Sequence, residues 1–322
     1  DNLDAYNEYL KGIFFWKKGT PEGIKKAIEL FKAAVGIDPG FALAYSWLAN
    51  CYVFLGSRGT LLPEISFGKA REYAHQAISL DDGLYDSHLA MAMVKMYHDW
   101  DFSNAEISIR KALQLNPGAG DAHYIYSMYL LSVGRTDEAL KEAKLSVQLD
   151  PLCQPILNNL AYTYLCLRKP DESIQLTERI LEIDPNNRSA LELKGMNHFL
   201  KGDIEKSIQV LTQYRDLVGI EGKGISSLAY VYAKSGRIED AKRCLGKLIE
   251  RQNRYQDETL VMDFCIIYAG LGEFDRAFTY LEEAIEQRLG GIFFLNSSPI
   301  GQALKMDPKY KLLMKQTGLT IT

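Results

Sequence analysis

The sequence predicts an all-α solenoid built from stacked helix pairs, and three observations predict it. A small residue recurs at Ala27, Ala70, Ala105, Ala139, Ser173, Ser207, Ala241 and Ala277, with successive intervals of 43, 35, 34, 34, 34, 34 and 36. A second ladder keeps step with it: Gly12, Ala49, Ala92, Ser127, Ala161, Gly195, Ala229 and Cys265. Glycine and proline punctuate the chain at the same period. Two ladders locked in phase near this period mark a helix-turn-helix repeat array. Such an array offers an extended face to another molecule rather than a closed catalytic pocket.

The elements follow in order. In the first pair, Thr20-Pro21 supplies an N-cap and a first-turn proline for the second helix, and Asp38-Pro39 ends it. The second pair opens with the apolar stretch Phe41 to Gly56, where Gly56 is read as a helix stop. About nine inserted residues follow, Ser57 to Ile65, including Pro63. In the third pair, Ser103-x-x-Glu106 is read as a capping box, and Asn116-Pro117 ends the helix. The fourth pair is the clearest. A helix from about Asp121 to Val133 stops at Gly134, a second runs from near Thr136 to Leu149, and Pro151 prevents its continuation. Asp137 and Glu138 sit in its first turn, where negative charge favours the helix dipole. Asp184-Pro185 closes the fifth pair, and Gly202, Gly236 and Gly272 close the first helices of the last three. After Leu217 a glycine-rich turn, Gly219 to Gly224, replaces the expected proline.

Within second helices the apolar residues fall at i, i+4 and i+7, as in Ala27, Phe31, Ala34 and in Ala277, Leu281, Ala284. That is one helical face. Helices of roughly 13–16 residues are marginal alone in water, so this face must be buried against a neighbour. The small ladder residues let paired backbones approach, and Tyr52, Tyr164, Tyr232 and Tyr268 fill the space between turns.

These positions resemble the tetratricopeptide repeat, a 34-residue helix-turn-helix unit. In the repeat ending at Pro151, its small, large apolar, alanine, small and proline positions are held by Ser127, Leu130, Ala139, Ser146 and Pro151. In the last repeat Cys265, Tyr268, Ala277 and Ala284 hold them and the proline is absent. The resemblance implies a right-handed superhelix of about eight repeats over residues 1–289, followed by a C-terminal cap over 290–322. The cap segment with Lys311, Leu312, Leu313 and Lys315 is expected to cover the last apolar face. Tyr9-Leu10-Lys11-Gly12, Thr20-Pro21-Glu22-Gly23, His98-Asp99-Trp100-Asp101 and Asp307-Pro308-Lys309-Tyr310 carry a finer resemblance. They are similar to the C-terminal halves of bacterial signalling proteins whose N-terminal half is a cyclase, winged helix-turn-helix or kinase domain. The chain opens at Asp1 without a methionine or an apolar leader, so a piece of a longer protein is expected.

Composition narrows the function classes. The net charge is −4 with both signs interspersed, so no nucleic-acid partner is expected. No run of 18 apolar residues occurs; Ser46 and Asn50 interrupt the best one. No membrane partner is therefore expected. Five cysteines, none spaced C-x-x-C, read as free thiols in a reducing, cytoplasmic compartment. The five histidines form no paired metal motif. His88 and His123 occupy equivalent repeat positions and read as packing residues. The His98 to Asp101 stretch reads as a helix-helix turn. The Gly219 to Gly224 stretch lacks the G-K-[ST] ending and preceding strand of a phosphate loop. No catalytic residue, cofactor or metal is expected.

The resemblance implies a concave groove lined by first helices. The residues expected there are Asn50, Met93, Tyr124, Met128, Asn158, Asn159, Tyr162, Met196 and Tyr230, with Met96, Glu192, Phe199, Met262 and Asp263 nearby in the pattern. Methionine adapts to varied apolar partners, tyrosine offers a flat face with a polar end, and asparagine pairs with extended backbone. The expected function is a non-catalytic scaffold or sensory module that binds a protein or peptide. The alternative is the substrate arm of an enzyme, such as a glycosyltransferase, whose catalytic domain lies elsewhere. Homo-oligomerisation through the cap or the 57–65 loop is a further possibility.

Overall fold

The computed structural model describes residues 2–57, 60–218, 224–255 and 260–319. No strand occurs among them. The helices come in pairs, and the fold is the all-α helical repeat that the ladders predict. The first unit, up to Ile125, holds α1 (Leu3–Trp16) with α2 (Pro21–Ile37), and α3 (Ala42–Ser57) with α4 (Pro63–Leu80). It continues with α5 (Tyr85–Val94), a π-helical turn over Lys95–Asp99, α6 (Phe102–Leu115) and the start of α7 (Gly120–Ser132). The second unit, from Tyr126 onward, pairs the rest of α7 with α8 (Thr136–Leu149), and α9 (Gln154–Cys166) with α10 (Pro170–Ile183). Then come α11 (Arg188–Lys201) with α12 (Ile204–Val218), α13 (Ser226–Lys234) with α14 (Ile238–Tyr255), and α15 (Val261–Leu271) with α16 (Phe274–Glu286). Three short helices follow among the described residues: α17 (Ile292–Leu295), α18 (Pro299–Leu304) and α19 (Pro308–Gln316).

All eight residues of the first ladder are 0% exposed. They sit where the two helices of a pair touch, and the second ladder faces them. Two pairs show how the contact is fixed. The Ser127 hydroxyl donates to the Ala139 carbonyl at 2.9 Å, and the Ser173 hydroxyl to the Ala161 carbonyl at 2.7 Å. One bond starts from the first helix and the other from the second, so the hydroxyl serves from either side. Where the ladder holds glycine, a large partner fills the space. A Cβ on Gly12 would lie 2.5 Å from the Phe31 ring, and one on Gly195 would lie 2.5 Å from Leu211 Cγ. The rest of the contact is apolar burial, the main force holding such short helices together.

The punctuation holds at most ends and is corrected at two. Gly134, Gly202, Gly236 and Gly272 take positive φ after first helices, as expected of helix-ending glycine. Thr20 caps α2 by accepting from the Gly23 amide at 3.1 Å. Gly56, however, lies inside α3 rather than ending it. Its role is close approach: a Cβ there would meet the Ser66 hydroxyl at 2.4 Å. Helix α6 begins at Phe102, and Asp101 caps it by accepting from the Asn104 amide at 3.1 Å. The Ser103 to Glu106 capping box is therefore not the start signal. Trp100 and Arg168 adopt φ of 58° and 54° at places where other repeats use glycine. In the last helix, Tyr310, Leu313 and Met314 are buried, while Leu312 is 63% exposed. The apolar face of α19 is thus one residue out of step with the expected Leu312-Leu313 pair. Residues 219–223 of the glycine-rich turn and 58–59 of the inserted loop lie outside the described residues.

Candidate functional site

In the first unit, the first helices present partly exposed side chains over a tightly packed aromatic core. Trp16 meets Trp47 edge to face at 5.2 Å and Phe54 at 5.8 Å. Asn50, from the next turn of α3, is partly exposed, and its amide donates to the Ser46 carbonyl at 3.1 Å. Met93 and Tyr97 are partly buried and pack on the same core. Tyr124 from α7 is partly exposed. Asp86 stands at the start of α5 and feels the charge of Asp121 at the start of α7. Burial first, and the Asp121 charge second, push the Asp86 carboxyl up to about 6. A hydrogen bond from Tyr85 opposes this in part.

The carboxyl of Asp86 has a consequence for stability. Between about pH 4, the ordinary aspartate value, and about pH 6, the folded chain holds a proton that the unfolded chain has released. The slope of unfolding free energy with pH is then negative for this group. Stability of the first unit therefore falls as pH rises through that window, and Asp86→Asn flattens the fall. Denaturant midpoints against pH, read by tryptophan fluorescence, check it. Equal slopes in both chains would contradict the assignment.

The histidines and the turn cluster have local roles. His88 Nε2 donates to the Asp82 carbonyl and His123 Nε2 to the Pro117 carbonyl, each at 3.0 Å. The equivalent positions thus tie the start of a first helix to the preceding loop. Asp99 pairs with the Arg71 guanidinium and lies 2.9 Å from His98 Nδ1, while His98 Nε2 is 3.4 Å from Glu64. This network joins the turn to α4. Among the described residues no group of three or more His, Cys, Asp or Glu is placed to hold a metal ion. All five cysteines are free, and burial pushes the Cys166 and Cys265 thiols up to about 12. They are poor nucleophiles there.

In the second unit the corresponding face is filled by the chain itself. After α16 the segment carrying α17 and α18 turns back across the first helices. The Tyr162 hydroxyl donates to the Phe294 carbonyl at 3.0 Å, and the two rings meet edge to face at 5.9 Å. The Asn296 amide donates to the Ser132 carbonyl at 2.9 Å, and the Ser297 hydroxyl to the Leu131 carbonyl at 2.5 Å. Arg168 donates to the Gln302 side-chain oxygen at 2.7 and 3.2 Å. Ile292, Phe293 and Leu304 are fully buried.

The nine residues expected on an open groove therefore separate. Asn50, Met93 and Tyr124 are partly exposed on the first unit. In the second unit Asn158 is partly exposed and donates to Asn187 Oδ1 at 3.3 Å. Tyr162 is covered by Phe294. Met128, Asn159, Met196 and Tyr230 are buried, between 4% and 9% exposed. These four correct the expectation of an open surface, for a physical reason. Asn159 turns inward to donate to the Ser127 hydroxyl at 3.0 Å, linking one repeat to the next. Tyr230 packs edge to face on Phe199 at 6.0 Å, and Gly270 of α15 approaches its backbone. Stacking of neighbouring repeats consumes the Asn159 and Tyr230 side chains.

A polar network lies farther along the same unit. Glu192 accepts from the Ser227 hydroxyl at 2.5 Å and from Tyr214, and Asp263 accepts from Ser226. Burial raises the Glu192 carboxyl above its ordinary range. Sequence reasoning placed Glu192 and Asp263 near the groove but missed their hydroxyl partners: Ser226 and Ser227 stand on α13, and Tyr214 stands on α12, the partner helix of Glu192. It also missed the return of residues 292–304. The available signal was an apolar run, Ile292-Phe293-Phe294-Leu295, with no partner helix at the repeat spacing.

The geometry defines the class first: an all-α helical-repeat protein whose first helices carry the accessible face of one unit and receive the chain's own tail in the other. The chain carries tetratricopeptide repeats, since a sequence model of the tetratricopeptide repeat matches residues 154–187 and 226–255. The transcriptional regulator HilA of Salmonella typhimurium is 25% identical over 151 residues, covering 47% of this chain and 27% of that protein. The tetratricopeptide-repeat-containing protein MJ1428 of Methanocaldococcus jannaschii is 26% identical over 129 residues, covering 40% of this chain and 22% of that protein. The chain thus spans about a quarter of the length of the curated relatives it matches. A tetratricopeptide repeat protein of Parabacteroides merdae has a similar fold, with a TM-score of 0.53 and 14% identity over 85% of this chain and all of that one. PilF of Pseudomonas aeruginosa gives 0.50 and 18% over 72% of this chain and 98% of that one. Among the described residues no helix is long and apolar enough to cross a membrane.

Proposed function

We propose that the chain is a non-catalytic interaction array, the regulatory part of a larger bacterial signalling protein, and that it binds a protein or peptide on the first-helix face of its first unit. The observation that carries this reading is the partly exposed set Asn50, Met93 and Tyr124, with Met93 packed on the aromatic core of the first unit. A preformed face of this kind loses little entropy when a partner docks. The tetratricopeptide repeat is in general an interaction scaffold, which supports the coarse reading. Similarity to part of a transcriptional regulator supports the idea that other domains complete the protein. Buried thiols with raised pKa suit a reducing, cytoplasmic setting. Repeats occupy residues 1–289 in this reading, and 290–322 form the tail that closes the second unit.

The test is selection of peptides from a displayed random library on the intact chain, followed by titration of the best one. Met93→Glu places a charge on the face and is expected to weaken binding at least tenfold while helical content stays intact. Equal affinity of both chains for every selected peptide would remove the face from consideration.

A further inference from the structure

Residues 292–304 have the character of a bound peptide. Helices α17 and α18 are only four and six residues long, far too short to be stable alone. They exist because the second unit holds them. The holding groups are 132 to 166 residues distant in sequence, and several are polar and directional. Tyr162 reads a backbone carbonyl and an aromatic ring at one position. The Ser132 and Leu131 carbonyls, in the last turn of α7, read an amide and a hydroxyl two and three positions later. Carbonyls at a helix end lack intrahelical donors and have lone pairs for a guest, the Leu131 carbonyl sharing its own between the Gly134 amide and Ser297. Arg168, at the rim, reads a carboxamide oxygen five residues farther on.

We propose that this segment is a resident ligand of the second unit, and that the same face takes an external peptide of matching chemistry once the segment leaves. That chemistry is an aromatic residue followed, two and three positions later, by Asn and Ser. The inference rests on the reading that first-helix faces bind peptide segments, and it concerns a different face from the one around Met93. The resident segment is anchored on both sides. Helix α16 precedes it, and α19 follows it, docked through the Lys309 to Glu282 ion pair at 2.9 Å and the buried Tyr310. A tethered ligand acts at millimolar effective concentration, so it outcompetes a free peptide of equal intrinsic affinity. The face is closed by default, and a partner opens it by binding better or by pulling the tail away.

The experiment uses a fluorescein-labelled synthetic peptide of residues 290–304 and the intact chain. Phe294→Ala/Asn296→Ala weakens the resident copy. The double variant is expected to bind the peptide at least tenfold more tightly than the parent chain. Adding Tyr162→Phe is expected to reduce that binding, and a scrambled peptide is expected not to bind. No difference between parent and double variant, with helical content intact, would overturn the proposal. Hydrogen exchange on the parent chain supplies a second measurement that needs no variant. Amides of 292–304 are expected to exchange together and before those of α9 and α15. Exchange only with global unfolding would make the segment permanent core and would also overturn it. Loss of the Met93 effect would leave both of these results standing.

Discussion

Replacing Phe31 with alanine is expected to destabilise the first unit by about 3–5 kcal/mol, the usual cost of deleting a fully buried aromatic side chain. Phe31 is 0% exposed and meets the Tyr9 ring at 5.9 Å and the Trp47 ring at 6.3 Å. The site cannot collapse easily, because the space beside the ring is left by Gly12 on a rigid helix and nothing larger stands ready to move in. Total stabilities of ordinary domains are about 5–15 kcal/mol, so a loss of this size dominates. All three tryptophans, Trp16, Trp47 and Trp100, lie in the first unit, so their fluorescence reports it selectively. Urea titration followed by that signal should show the shift. A change under about 1 kcal/mol would mean that the ring is not the keystone its burial indicates.

Gly301→Ala is expected to have the next largest effect, about 3 kcal/mol or more, because the clash is with backbone rather than a movable side chain. A Cβ at this position would fall 1.6 Å from the Leu295 carbonyl oxygen. The two short helices α17 and α18 cross there and must separate to admit a methyl group. The expected outcome is lost protection of amides 292–304, with α9 and α15 still protected. Gly246→Ala is the control in the same unit. Its Cβ meets nothing within 4 Å, so the added methyl should stabilise α14 by about 0.5–1 kcal/mol through helix propensity. Similar behaviour of the two variants in hydrogen exchange and thermal unfolding would contradict the crossing.

Much of the architecture was legible because it rests on local rules. The bounds of α8, Thr136–Leu149, follow from glycine before it, acidic residues in its first turn and proline after it. The ladders were legible because close helix approach tolerates only small residues, and that restriction repeats with the period of the unit. Gly56 was misread because glycine serves two purposes. Its sequence neighbours do not distinguish a helix stop from a close contact with Ser66, which lies ten residues away. Asp101 and Ser103 both suit an N-cap, and Trp100 in the left-handed region decides between them by setting where the chain re-enters the helix.

The candidate site divides along the same line. Sequence by itself determined the repeat, its phase and the helix on which each expected contact residue sits. Those depend on spacing within one helix pair. Only the tertiary structure decided which of these residues remain accessible. Asn159 spends its amide on Ser127 of the preceding repeat, Tyr230 is sandwiched between neighbouring helices, and Tyr162 holds a segment more than a hundred residues away. The physical reason is that a first helix has one face toward its partner, one toward the next repeat and one toward the hollow. Periodicity separates the first from the other two, whereas burial of the remainder depends on what the rest of the chain brings against it.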